Sequence, residues 1–103
     1  MLSIFQGRKP PVQPLFALGT LKLSEKVHWL ASKSLIDPLP FVQRHLRGDW
    51  GDLDDSDRRQ NDAALRSGED RLFSAYEVGP NLKVWVITEW DRSVTTVLLP
   101  SEY

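Results

Sequence analysis

Between Arg71 and Val78, Leu72, Ser74, Tyr76 and Val78 alternate with Phe73, Ala75 and Glu77, a period of two that predicts a strand. Leu82-Lys83-Val84-Trp85-Val86-Ile87-Thr88 is the strongest strand signal in the chain, because β-branched and aromatic side chains suit a pleated surface. Ser93–Leu99 supplies a third run, closed by Pro100. Gly79-Pro80-Asn81 and Glu89-Trp90-Asp91-Arg92 are of turn length. Connections this short force antiparallel neighbours, since parallel pairing needs a crossover of about a dozen residues. The last third of the chain therefore reads as an antiparallel meander. Neither its central nor its last strand has a plainly polar face, which predicts helices on one side and partial shielding of the other.

Upstream the period lengthens. Ser24 is placed as an N-cap for a helix Glu25–Ser32, with Val27, Trp29, Leu30 and Ala31 available for burial. Asp37-Pro38-Leu39-Pro40 interrupts the chain, and a second helix, Pro40 to Leu46, opens with proline in its tolerated first turn. Phe41, Val42 and Leu46 point to the core in this reading, Gln43, Arg44 and Arg47 face solvent, and Gly48 stops the helix. The loop Asp49–Asp57 delivers Asp54, Asp55 or Ser56 as the cap of a third helix ending near Ser67, with Gly68 as its stop. The apolar stripe of this helix is thin (Ala63, Ala64, Leu65), which predicts one largely exposed side. Phe16–Leu23 reads as a short strand or extended segment. In residues 1–14, Pro10, Pro11 and Pro14 predict a stiff extended arm. Its Arg8–Pro14 stretch also fits the spacing of proline-rich ligands of SH3 domains. The expected fold is α+β: three short helices packed on a C-terminal three-stranded antiparallel meander, four-stranded if the N-terminal strand joins it. Residues 15–103 form one domain behind the arm.

Composition narrows the partners. The formal net charge of −1 gives no global basic excess, so nucleic acid is not the favoured partner. The absence of cysteine excludes disulfides, Cys-ligated zinc, iron–sulfur clusters and thiol catalysis. No apolar run approaches the roughly 20 residues of a membrane-spanning helix, and Met1–Lys9 lacks the basic-then-apolar order of a secretory signal. A cytoplasmic protein with no membrane contact and no cofactor is expected.

From about Arg44 onward the chain resembles a family of small uncharacterised bacterial proteins of plasmids and integrative elements. The residues that carry the resemblance are His45, Gly48-Asp49-Trp50-Gly51-Asp52, Asn61–Leu65, Arg71-Leu72, Ser74-Ala75-Tyr76, Lys83–Glu89 and Asp91–Tyr103. Leu18-Gly19 matches a further element near the start of family members. The resemblance implies a mobile-element setting without an established chemistry, and it does not extend to residues 1–14.

Asp49, Asp52, Asp54, Asp55 and Asp57 are hard oxygen ligands in principle. Read from Asp52, however, the glycine position of a calcium loop falls on Asp57 and its bidentate glutamate on Ala63, so capping and solubility account for them and no metal is expected. His28 and His45 have no zinc-binding spacing; a helix-face or capping role is expected of them. Trp50, between two Gly-Asp pairs, reads either as a latch plugging the core or as part of a ligand site. Two functions remain in view, with a third behind them. The first is a non-enzymatic mobile-element accessory protein that binds another protein through Trp50, Asp52, Trp90, Asp91 and Arg92, tryptophan and arginine being enriched in binding hot spots. The second is a small RNase like barnase or RelE, with helices first and sheet last, using His45, Arg71, Glu89 and Arg92 to move a proton and hold a phosphate. The third is nucleic-acid binding without catalysis.

Overall fold

The computed structural model describes residues 13–103, so the arm and its proline spacing lie almost entirely outside the described residues. Strand β1 (Thr20–Leu23) leads into helix α1 (Glu25–Ser32), followed by α2 (Leu39–Leu46) and α3 (Asp55–Ser67). The meander β2 (Leu72–Gly79), β3 (Leu82–Thr88) and β4 (Val94–Leu98) comes next, with a single 3-10 turn at Pro100–Glu102. The fold is α+β. The sheet runs β1-β4-β3-β2, with β1 parallel to β4 and the other pairs antiparallel. The N-terminal strand thus makes the sheet four-stranded and mixed. Its parallel pairing is allowed because all three helices lie in the connection between β1 and β4.

The helix ends follow their local chemistry. The Ser24 hydroxyl accepts from the Val27 amide, the Asp54 carboxylate accepts from the Asp57 amide, and Gly68 closes α3 in the left-handed conformation. The Glu102 carboxylate accepts from the Ser24 hydroxyl at 2.6 Å and from the Leu99 amide at 2.8 Å, tying the end of the chain to the start of α1.

Register assigns the two faces of the sheet. Tyr76, Val84, Val86 and Val97 share the side on which α1 and α2 pack, and they form the main core with Val27 and Val42. Trp29, expected to be available for burial, is instead 55% exposed; α1 is short and directs Val27 alone fully inward. A second cluster, Trp50, Leu53, Ala64, Leu72 and Ala75, sits where α3 meets β2.

Strand β2 is an edge, and every amide on its outer side is occupied. Phe73 exchanges hydrogen bonds with the Asn61 side chain, whose amide stands in for a neighbouring strand (3.1 Å and 2.5 Å). The Ala75 amide donates to the Trp50 carbonyl at 3.2 Å, and the Ala75 carbonyl accepts from the Asp52 amide at 2.7 Å. The Glu77 amide donates to the Asp52 carboxylate at 3.1 Å. Sealing an edge in this way removes the template for unwanted strand pairing.

Gly51 is the hinge of this seal. Its φ is +74°, and a Cβ there would be driven into the Ala75 carbonyl oxygen and the Tyr76 ring. The Gly51→Ala variant is expected to lose more than about 2 kcal/mol of stability in urea unfolding, from the left-handed strain and the clash together. Asn61→Ala, which leaves both Phe73 backbone groups unpartnered, is expected to lose about 2–3 kcal/mol in the same assay.

Candidate functional site

His45 sits on the inward face of α2, above the centre of the sheet, and is completely buried. Its Nδ1 lies 2.5 Å from the Ser74 hydroxyl and its Nε2 2.9 Å from the Thr88 hydroxyl. Thr88 and Thr95 hydroxyls are 2.7 Å apart, and Thr95 donates to the Leu18 carbonyl at 2.7 Å. The direction of this chain of bonds is fixed by its end, because a carbonyl only accepts. Thr95, having donated to Leu18, accepts from Thr88. Thr88 in turn accepts from the ring, which places the imidazole proton on Nε2. Nδ1 is left with its lone pair and accepts from Ser74. Every polar atom in the line is satisfied by a neutral histidine.

The electrostatics agree. Burial, and secondarily the positive charge of Arg92, lower the His45 pKa to about 3. Phe16 stands against the imidazole edge-on at 5.2 Å, Trp50 is 5.7 Å from it, and the Arg92 guanidinium lies 5.9 Å from the Phe16 ring. The expected helix-face or capping role for His45 is therefore replaced by a core role. Ser74 and His45 have the contact of a nucleophile and its base, but neither has surface that a substrate can reach.

Arg92 is a staple. It takes the unusual φ of +61° for a non-glycine residue. Its guanidinium donates to the carbonyls of Asp70 (2.5 Å), Trp90 (3.1 Å), Glu89 (3.3 Å) and Ala64 (3.2 Å). One of these carbonyls, Ala64, is in the last turn of α3, where a cation suits the helix dipole. Asp91 does not pair with it. The Asp91 carboxylate accepts from the Ser93 hydroxyl at 2.6 Å and the Ser93 amide at 3.0 Å, and these bonds hold its pKa below the usual carboxylate range.

The other residues singled out in the sequence are dispersed. Arg71 donates to the Tyr103 hydroxyl at 2.5 Å and lines a polar groove of about 660 Å³ with Asp57 and Asp70; His45, Glu89 and Arg92 do not line that groove. Glu89 contributes its backbone to the β3–β4 turn. The four residues assigned to a nuclease are thus not arranged around a shared opening. Trp50 is only 3% exposed, and its indole donates to Asp62 at 3.1 Å, so it plugs the core and offers no ring to a partner. Asp52 caps the edge strand. Asp49 pairs with Arg44 at 2.6 Å, which lowers its pKa, and its carbonyl accepts from the Tyr76 hydroxyl at 2.5 Å. Of the proposed binding residues Trp90 is the exposed large apolar side chain, at 63% exposure, and the neighbouring Asp91 is exposed as well.

Sequence reasoning gave no structural role to Ser74, Thr88, Thr95, Asn61 or Arg58. Arg58 donates to the Leu53 carbonyl at 3.0 Å and to the Gly51 carbonyl, holding the loop that seals β2. A signal was present for three of these: Ser74, Thr88 and Thr95 fall on the same side of their strands as Tyr76, Val86 and Val97, and polar residues on an apolar face imply partners.

The surface also holds an apolar groove of about 430 Å³, lined by Glu25, Lys26, Trp29, Leu30, Leu82 and Leu99. No group of acidic residues and histidines among the described residues is arranged to hold a metal ion, and no described helix is long and apolar enough to cross a membrane.

The His45 line makes stability depend on pH in a definite direction. The unfolded chain takes up a proton near pH 6.5 while the folded chain stays neutral to about pH 3, so acid favours unfolding. As pH falls from 6.5 toward about 4.5, above the main carboxylate range, stability is expected to drop by up to about 1.4 kcal/mol per pH unit from this group. His45→Gln, though less stable overall, is expected to show a flat profile over the same interval in urea titrations.

No family model matches this sequence, and no curated protein or solved structure is significantly similar to it.

Proposed function

We propose that this chain is a non-enzymatic accessory protein of a mobile element that acts by binding another protein. The observation that carries the reading is the state of His45: no exposed surface, and both ring nitrogens engaged in a closed line of hydrogen bonds. The arginine best placed to accompany it, Arg92, is occupied by backbone carbonyls. The residues with the chemistry of a nuclease thus serve the fold, and what remains at the surface is suited to contact. The mobile-element setting rests on the resemblance of the segment from Arg44 onward.

The binding surface best supported is the groove beside Trp29. It is concave and lined by Leu30, Leu82 and Leu99, with an exposed indole at its rim, an arrangement that accepts an apolar side chain of a partner. A second reading centres on Trp90, whose turn is held by the Arg92 bonds to Ala64 of α3 and to Asp70 beyond it; a rigid mount lowers the entropic cost of binding. Asp91 and Arg92 would there act as supports for Trp90.

Purified protein is expected to show no RNA cleavage that His45→Gln abolishes. With a co-purified stoichiometric partner in hand, Trp29→Ala is expected to weaken binding about tenfold or more in calorimetry, with an unchanged melting temperature. If Trp90→Ala weakens it and Trp29→Ala does not, the turn is the binding surface. Histidine-dependent cleavage of RNA would contradict the accessory reading.

A further inference from the structure

The two edges of the sheet are built differently. Strand β2 is sealed by Asn61 and the Trp50–Asp52 segment, and its register shifts between Glu77 and Gly79; a covering loop and a bulge are both devices that keep an edge from pairing. Strand β1, at the opposite edge, has neither. Its ladder to β4 uses alternate residues: the Thr20 amide donates to the Ser93 carbonyl at 2.8 Å, and the Ser24 amide to the Val97 carbonyl at 2.9 Å. In that register Thr20, Lys22 and Ser24 turn their backbone groups toward β4. The amides and carbonyls of Leu21 and Leu23 point away from the sheet and have no partner among the described residues.

The open edge is held in place at both ends. Just before it the Leu18 carbonyl accepts from the Thr95 hydroxyl at 2.7 Å, and just after it the Ser24 hydroxyl donates to Glu102 at 2.6 Å. Gly19 has a φ of +67°, and a Cβ there would run into the Ser93 carbonyl, so the chain is seated directly on the start of β4. Leu21 and Leu23 lie on the helix side, opposite Thr95 and Val97, and pack against the main core while only partly buried. Thr20 and Lys22 are exposed on the other face, with Lys22 beside Thr96. The aromatic row of that face (Phe73, Trp85 and Tyr103, in contact at 5.0 and 5.5 Å) lies toward β2.

We infer that the β1 edge takes up an extended segment of a partner protein as an antiparallel fifth strand, with apolar residues beside Leu21 and Leu23 and an acidic residue opposite Lys22. The open backbone groups fix the occupant as a strand, because residues set opposite Leu21 and Leu23 in an antiparallel pair exchange both bonds with each of them. Lys22 fixes the charge of that strand. It forms no ion pair among the described residues, and its side chain meets the residue directly across the new pairing. A second copy of the chain is disfavoured: the register that makes every bond sets Lys22 against Lys22, and like charges directly opposite resist pairing. The groove beside Trp29 contains no residue of β1. The inference shares with the proposed function only the class of partner, and it adds a surface.

A short capped peptide of alternating valine and threonine, with one central glutamate flanked by valines, tests it in NMR titrations of the labelled full chain. Saturable shifts centred on the Leu21 and Leu23 amides are expected below about 1 mM peptide, and both amides gain protection from hydrogen exchange. N-methylation of the two flanking valines is expected to abolish binding, since their amides donate to the Leu21 and Leu23 carbonyls. N-methylation of the glutamate, whose amide faces outward, is expected to leave binding intact. Exchanging the peptide's glutamate for lysine is expected to weaken binding about threefold or more, and Lys22→Glu to reverse that preference at an unchanged melting temperature. Lys83→Glu, on the same face but two strands away, and Trp29→Ala are expected to leave the preference unaltered; the latter separates failure here from failure of the groove. Leu21 and Leu23 amides already protected in the isolated chain would overturn the inference, because a copy or another part of the chain would then occupy the edge. So would an absence of shifts up to about 2 mM peptide, loss of binding on N-methylation of the glutamate, or a glutamate preference that survives Lys22→Glu.

Discussion

A neutral imidazole held between a serine and a threonine is the joint on which this small fold closes. Through Ser74, Thr88 and Thr95, His45 connects α2 to β2, β3 and β4, and the line ends on the Leu18 carbonyl just before β1. Five segments distant in sequence meet in it. In a domain of this size the apolar core leaves a net stability of only about 5–15 kcal/mol, so a buried polar line has to be complete to be tolerated. This one is complete: no buried side-chain nitrogen or oxygen among the described residues lacks a partner. A satisfied network of this kind specifies one packing among the many that an apolar core of valines would allow.

Around that joint the polar residues of the loops act as strand substitutes. The segment Asp49–Asp52 and the Asn61 amide give β2 the bonds that a fifth strand would otherwise supply, and Arg58 and Arg44 hold that segment in place. Arg92 does for the β3–β4 turn what Asn61 does for the edge, binding the carbonyls of Ala64 in α3 and of Asp70 in the connection that follows. The residue types that suggest catalysis or metal binding in the sequence are the ones required to satisfy backbone groups where irregular chain is packed against a sheet. Their chemistry is real; it is directed inward.

Much of the architecture was legible because it depends on local signals. The Ser24 cap, the Gly68 stop and the two turns of the meander are set by neighbours within a few residues and stand where those neighbours place them, and of the three cap candidates Asp54, Asp55 and Ser56 the helix takes Asp54. The parallel pairing of β1 with β4 was not legible, since it joins segments more than 70 residues apart and no local pattern encodes it. His45 was misread for a related reason. On α2 alone it lies among Gln43, Arg44 and Arg47 and looks like a surface residue, and only the hydroxyls arriving from three strands make its burial favourable. Trp50 was legible as a latch, though the same residue was also assigned to a binding surface that its burial rules out, whereas the exposure of Trp29 and the row of Phe73, Trp85 and Tyr103 depend on which sheet face the helices take.

The protonation state of His45 decides between a protein that uses its polar residues for structure and one that uses them for chemistry. Long-range proton–nitrogen correlation spectra of the uniformly labelled protein read the tautomer and the titration of this ring directly. The account predicts a neutral ring protonated on Nε2, with no titration from pH 7 down to about pH 4 while the chain stays folded. A ring protonated on Nδ1, or one that titrates near its ordinary value of about 6.5 in the folded protein, would contradict it.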